Sequence, residues 1–164
     1  MATLENPFDK ARLKMVAGRI EFMSQLAKFG PDELAAVPAS GDWSALDLAY
    51  HVYVADGLAL EQMRQVQNEE NPLIAPPEEE APRLTREAKP PASLDAVLAG
   101  MAARREEIFE YLSALTPESW ERPFRHPSWG QLQFYQMVNI LPQHDTLHAR
   151  QLAELKAAIP PVQA

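Results

Sequence analysis

Residues 71–91 read NPLIAPPEEEAPRLTREAKPP, and the interpretation of this stretch decides the architecture. It holds six of the chain's 15 prolines and an acidic run, Glu78-Glu79-Glu80. Proline lacks an amide donor and clashes with the turn before it, so neither helix nor strand is expected here. Length matters more than composition. About 20 residues of extended chain, at roughly 3 Å per residue, can run the whole length of a helix. The helices on either side therefore escape the antiparallel hairpin that a short loop imposes, and can lie parallel with an overhand crossover.

Outward from this stretch, four segments carry helical periodicity and none carries the alternation of a strand. Residues 44–68 begin at Ser44, with Asp47 three positions on in the manner of a capping box and Trp43 placed to staple the entry. Residues 93–115 run from a Ser93 cap to Thr116-Pro117-Glu118, the start of a short extra turn. The first helix is expected over residues 8–29, between Asn6-Pro7 and Gly30-Pro31, with Leu13, Val16, Ile20 and Ala27 at helical spacing and Phe22, Leu26 and Phe29 alongside. The fourth is expected over residues 131–158, ending before Pro160-Pro161. Pro142 lies inside it, and a kink is expected within a turn of His144. Methionines 15, 23, 63, 101 and 137 suit gaps in a bundle core. The expected fold is all-α: a four-helix bundle, up-down-down-up, forming one domain over residues 1–164.

Composition narrows the function. With 164 residues the chain can bury a sizeable core. No apolar run approaches the length of a membrane span, and MATLENPFDKARLK has no basic-then-apolar signal pattern, so a cytoplasmic location is expected. Cysteine is absent, which removes disulfides, thiolate metal sites and cysteine nucleophiles and leaves nitrogen and oxygen to hold any transition metal. A net charge of -8 disfavours a phosphate-binding surface, so no nucleic-acid partner is expected.

Three of the four histidines carry the chemistry. His144 and His148, in LPQHDTLHARQLAEL (residues 141–155), are four apart and share one helix face. From His144, steps of four, eight and eleven reach His148, Leu152 and Leu155, a core-facing stripe. His51 sits on a similar stripe with Leu48, Val54, Ala55 and Leu58. Facing helices in a bundle lie about 8–10 Å apart, a gap that opposed imidazoles and one ion can fill. Such a His₃ site leaves room for water or substrate, as catalytic metal sites do. Without an ion, the three would be hydrogen-bonded core histidines. His126, in RHPSW, is read as an exposed loop residue.

Among the acidic neighbours, Asp47 can accept a proton from the other nitrogen of His51 or simply complement the helix N-terminus. Asp56 and Glu61 qualify as general bases only if they face inward, and Glu61 is assigned to the solvated face. Asp145 makes HDTLH, one methylene short of the HExxH of zinc proteases, but only 16 residues follow His148 to supply a further ligand. Tyr50, Tyr53, Tyr135, Trp43, Trp129 and Phe134 line a pocket or, more simply, fill the core.

DWSALDLAYHV, SWGQLQFYQMVNILPQHDTLHARQL and the spacing of His144, His148 and Gln151 together resemble the DinB-like (DinB/YfiT) superfamily of four-helix-bundle metalloenzymes. The resemblance spans nearly the whole chain. It implies an up-down-down-up bundle, commonly a homodimer, with a divalent ion such as zinc or nickel on His51, His144 and His148. Some relatives transfer or isomerise small molecules with a low-molecular-weight thiol. The chain departs from the pattern in its Pro-rich 71–91 segment and in Pro142. The leading expectation is a metal-dependent enzyme acting on a small molecule by thiol-dependent S-transfer or hydrolysis. The alternative is a non-catalytic, stress-related dimeric bundle that binds a metal or a small apolar ligand. Proteolysis through HDTLH is a distant third.

Overall fold

The computed structural model describes residues 6–38, 43–74 and 93–159. Four helices dominate: α1 Pro7–Leu26, α2 Ala45–Asn68, α3 Leu94–Ser113 and α4 Phe134–Ala158. Their starts follow the local chemistry. Asn6 accepts from the amide of Phe8 with Pro7 at the first helical position, and Ser44 and Asp47 close a reciprocal capping box. Ser93 accepts from the Ala96 amide. Each of these caps satisfies amides that the helix itself leaves without partners.

Helix α1 packs chiefly on α4, and α2 on both α3 and α4. Gly18 approaches Pro142 and Asp145, and Thr146 donates to Glu21, so α1 and α4 run in the same sense. Helices α2 and α3 also run in the same sense, with Tyr53 against Gly100 and Asp56 against Arg105. The 71–91 segment that would connect them lies, from residue 75 on, outside the described residues.

The face of α1 differs from expectation. Leu13, Val16 and Ile20 are 74, 40 and 60 % exposed, and the bundle takes Ala11, Met15, Gly18, Phe22 and Leu26 instead. Gly18 is the reason. A Cβ there would sit 3.0 Å from the Pro142 carbonyl oxygen, so only this face lets the two backbones come so close. The helix carries two apolar stripes, and periodicity could not rank them.

A second difference is a short antiparallel hairpin, β1 Pro123–His126 with β2 Gly130–Gln133, after a 3₁₀ turn at Pro117–Glu121. Residues 131–133, expected to open the fourth helix, belong to this hairpin. Gly130 has φ of +76°, the left-handed conformation that closes a three-residue hairpin loop. The hairpin also reaches the start of the Pro-rich segment: the Ile74 amide donates to the Arg125 carbonyl and the Arg125 amide to the Pro72 carbonyl, both at 2.8 Å. Arg122 donates from Nε to the Val66 carbonyl and from Nη2 to the Glu69 carbonyl, capping the C-terminal end of α2.

The core falls into two clusters. One gathers Met15, Leu60, Met63, Ile108, Leu112, Phe134 and Leu141; the other gathers Phe22, Leu26, Leu48, Val52, Val97, Met101 and Leu152. Between them, on every helix, sits one charged residue.

Candidate metal centre and a charged layer beside it

Helix α2 brings in His51, and α4 brings in His144 and His148. The three are 2, 6 and 6 % exposed. Potential ligand atoms from all three lie within 4.8 Å of one another, so the group could hold a metal ion. Ring centroids are 5.5 Å apart for His51–His144, 4.8 Å for His51–His148 and 4.2 Å for His144–His148. Nε2 of His144 and Nε2 of His148 are 2.8 Å apart. Nδ1 of His148 meets Oε1 of Gln151, one turn on and at the surface. An amide oxygen only accepts, so Nδ1 of His148 carries the proton and donates. Its Nε2 then presents a lone pair, the arrangement that a ligating histidine needs.

Burial, followed by the electrostatic influence of the neighbouring His148, pushes the pKa of His51 down to about 4. Burial, then His148 and His51, pushes His144 down to about 3. Both rings are neutral near pH 7, the form that binds metal. The indole of Trp43 packs 4.9 Å from the His51 ring, centroid to centroid.

The other candidates fall in different places. Asp47 Oδ2 accepts from the Ser44 amide within the capping box. Tyr50 stacks on Tyr53 at 5.9 Å, and the Tyr53 hydroxyl accepts from Arg104. Glu61 is on the exposed face, as expected, and Asp56 is buried. Asp145, adjacent to His144, does not serve the histidines as the base of a zinc protease would, because both its oxygens are engaged by arginines.

Those arginines form a ring with the two aspartates. Arg19 of α1 donates Nη2 to Asp56 Oδ2 at 2.7 Å and to Asp145 Oδ1 at 3.2 Å. Arg105 of α3 donates Nη2 to Asp56 Oδ1 at 3.2 Å and to Asp145 Oδ2 at 3.1 Å. Burial works against both carboxylates. At Asp56 the two arginines outweigh it and hold the pKa below the usual value; at Asp145 burial wins and raises it. Sequence reasoning missed both arginines. For Arg105 a signal existed, since Met101, Arg105, Ile108 and Leu112 form one inward stripe. Arg19, beside rather than on the buried stripe of α1, carried none.

His126 also departs from expectation. It is buried, it ends β1, and its ring stacks on Trp129 at 4.2 Å. Nδ1 accepts from the amides of Ser128 and Trp129, both at 3.0 Å. It is therefore the internal brace of the hairpin loop, and it lies outside the histidine group.

A model of the DinB superfamily matches residues 15–152, a span that includes all three histidines and all four charged residues. The chain belongs to the DinB superfamily. Among curated proteins it is 23 % identical over 157 residues to the uncharacterized protein YuaE of Bacillus subtilis, covering 86 % of this chain and 94 % of that one. YfiT from Bacillus subtilis, described as a probable metal-dependent hydrolase with an unusual four-helix bundle topology, superposes with a TM-score of 0.73 at 18 % identity, covering 95 % of this chain and 89 % of that one. The colibactin self-resistance protein ClbS, solved in complex with a dsDNA, superposes with a TM-score of 0.72 at 10 % identity, covering 93 % and 97 %. At such identities the two structures share the DinB-superfamily fold with this chain. No helix among the described residues is long and apolar enough to cross a membrane.

Proposed function

We propose that this member of the DinB superfamily is a metal-dependent enzyme whose ion is held by His51, His144 and His148. The observation that carries this reading is the convergence of three buried imidazoles within 4.8 Å, two of them held neutral by burial. Three imidazole nitrogens with no thiolate suit a borderline divalent ion, zinc or nickel, and fall short of the four ligands of a closed structural site. When bound, such an ion supplies Lewis acidity that lowers the pKa of a water or a thiol. The chain's own residues do the rest. Gln151 fixes the tautomer of His148, Trp43 packs against His51, and Asp47 and Tyr50 flank His51 on the same helix. Hydrolysis of a small molecule is favoured by the description of YfiT, which shares the fold; thiol-dependent S-transfer is the companion reaction that the family resemblance raises.

Metal analysis of protein purified without a histidine tag tests the site. A near-stoichiometric divalent ion, lost in both His51→Ala and His148→Ala, is expected. No ion in fresh protein, with stability unchanged by either substitution, sinks the reading. Metal-loaded protein is then offered esters and amides, and separately thiols with electrophiles, with turnover expected to vanish in His144→Ala.

One observation favours a second reading, a bundle that stores or is braced by its ion without catalysis: the histidines are only 2–6 % exposed. Thermal stabilisation by metal with no turnover on either panel would select it. In both readings the protein is a cytoplasmic homodimer. The exposed stripe of Leu13, Val16 and Ile20 supports self-association, which sedimentation velocity tests. Although ClbS was solved with dsDNA, the net charge of -8 here supports no nucleic-acid partner, and fluorescence anisotropy with a dsDNA fragment at low salt is expected to show no binding.

A further inference from the structure

We propose that the ring of Arg19, Asp56, Arg105 and Asp145 is a positioning device for the histidine site, fixing α4 against α2 so that His144 and His148 meet His51. This inference rests on the metal reading of those histidines. Each helix supplies one member of the ring, and both arginines bridge both aspartates at 2.7–3.2 Å. The ring sits between the two apolar clusters and beside the site: Asp145 follows His144, and Asp56 lies five residues, about 7.5 Å of helix rise, beyond His51.

Stability alone does not account for it. Three buried ionic groups and the largely covered Arg19 surrender most of their hydration, and well-packed apolar side chains of similar size serve a core as well or better. Charges supply direction instead. Each arginine is aimed at one oxygen of each aspartate, so a one-residue slip of α4 turns Asp145 through about 100° and breaks both of its pairs. Apolar surfaces at that level would tolerate the same slip. Register is at risk here because Pro142, three residues before Asp145, removes the amide that would bond the Val138 carbonyl. The compensation comes from α1, where Gly18 admits the Pro142 backbone and the next residue, Arg19, holds Asp145. Metal ligation requires nitrogens placed to within about 0.2 Å, a tolerance that sliding apolar layers do not provide. Arg19, Asp56, Arg105 and Asp145 are thus positioning residues acting through the helices that carry the ligands.

The test replaces the whole ring with apolar residues of similar size, Arg19→Met, Asp56→Leu, Arg105→Met and Asp145→Leu together, and compares Tm, Zn²⁺ affinity by chelator competition, and the visible spectrum of the Co²⁺ form. A folded variant with Tm at or above wild type, Zn²⁺ affinity reduced about 10-fold or more and an altered Co²⁺ spectrum is expected. A folded variant with wild-type affinity and spectrum overturns the proposal. If the fourfold variant does not fold, Arg105→Lys decides by the same two readouts, since lysine keeps the charge and loses the fork. If wild-type protein binds neither ion, the metal reading fails by itself, and ring-nitrogen NMR of the metal-free protein decides the positioning role. Loss of the His144–His148 hydrogen bond in the folded variant sustains that role, and its retention overturns it.

Discussion

The bundle contains two adjacent polar layers, and they solve the problem of burial in opposite ways. The arginine–aspartate ring is complete: four charges from four helices neutralise one another within the fold. The histidine group is incomplete: burial, and then the neighbouring histidines, oppose protonation of His51 and His144 and keep both neutral. One layer has its counter-charges built in, and the other could take its charge from outside, as a metal ion. The difference separates what holds the molecule in register from what can react.

The comparison breaks most severely if one member of the ring is removed. Arg105→Met leaves Asp56 and Asp145 sharing one cation, and a buried charge without its partner costs about 3–5 kcal/mol, read as a fall in the urea midpoint at unchanged slope. A similar loss from His51→Ala in metal-free protein would erase the distinction between the layers.

Acid comes next. The unfolded chain protonates a histidine near pH 6.5, whereas folded His51 and His144 do so only near 4 and 3. Below pH 6.5 the unfolded state therefore binds more protons, and folding stability falls as pH drops. Each withheld proton contributes a slope of about 1.4 kcal/mol per pH unit until the folded pKa is reached. Above pH 7 the stabilisation is fully present. Denaturation of metal-free His51→Asn between pH 7 and 4 should show a shallower slope than wild type; equal slopes would mean that His51 titrates normally.

Gly18→Ala tests the clamp that the two layers share. A methyl group 3.0 Å from the Pro142 carbonyl oxygen forces the helices apart, at a cost of about 1–3 kcal/mol by thermal denaturation. The smallest effect belongs to Gln151→Ala. Losing the acceptor on His148 should weaken metal binding about 10-fold, some 1.4 kcal/mol, with metal-free stability unchanged.

Much of this was legible in the sequence, for definite reasons. The histidines were found because a four-residue step on an apolar stripe fixes which way two side chains face. The caps at Ser44 and Ser93 were found because their chemistry is local. The face of α1 was not, because choosing between two apolar stripes needs the partner helix, and the decisive residue was a glycine with no side chain to read. The hairpin was missed because strands of four residues, PFRH and GQLQ, carry almost no alternation; the left-handed glycine in HPSWG was its one local mark. The charged ring was missed because its four members lie far apart in the chain, and pairing over such separations is a property of the packed bundle.

The caps at either end of α2 have different origins. Its first turn is closed by Ser44 and Asp47, residues made at the same moment as the helix itself. Its last turn is closed by Arg122, whose guanidinium reaches back 56 residues to Val66 and 53 to Glu69. During synthesis, then, the start of α2 has its cap at once, whereas its far end has no guanidinium to bond until Arg122 has been made. Until then the carbonyls of Val66 and Glu69 lack the partner that the finished fold gives them.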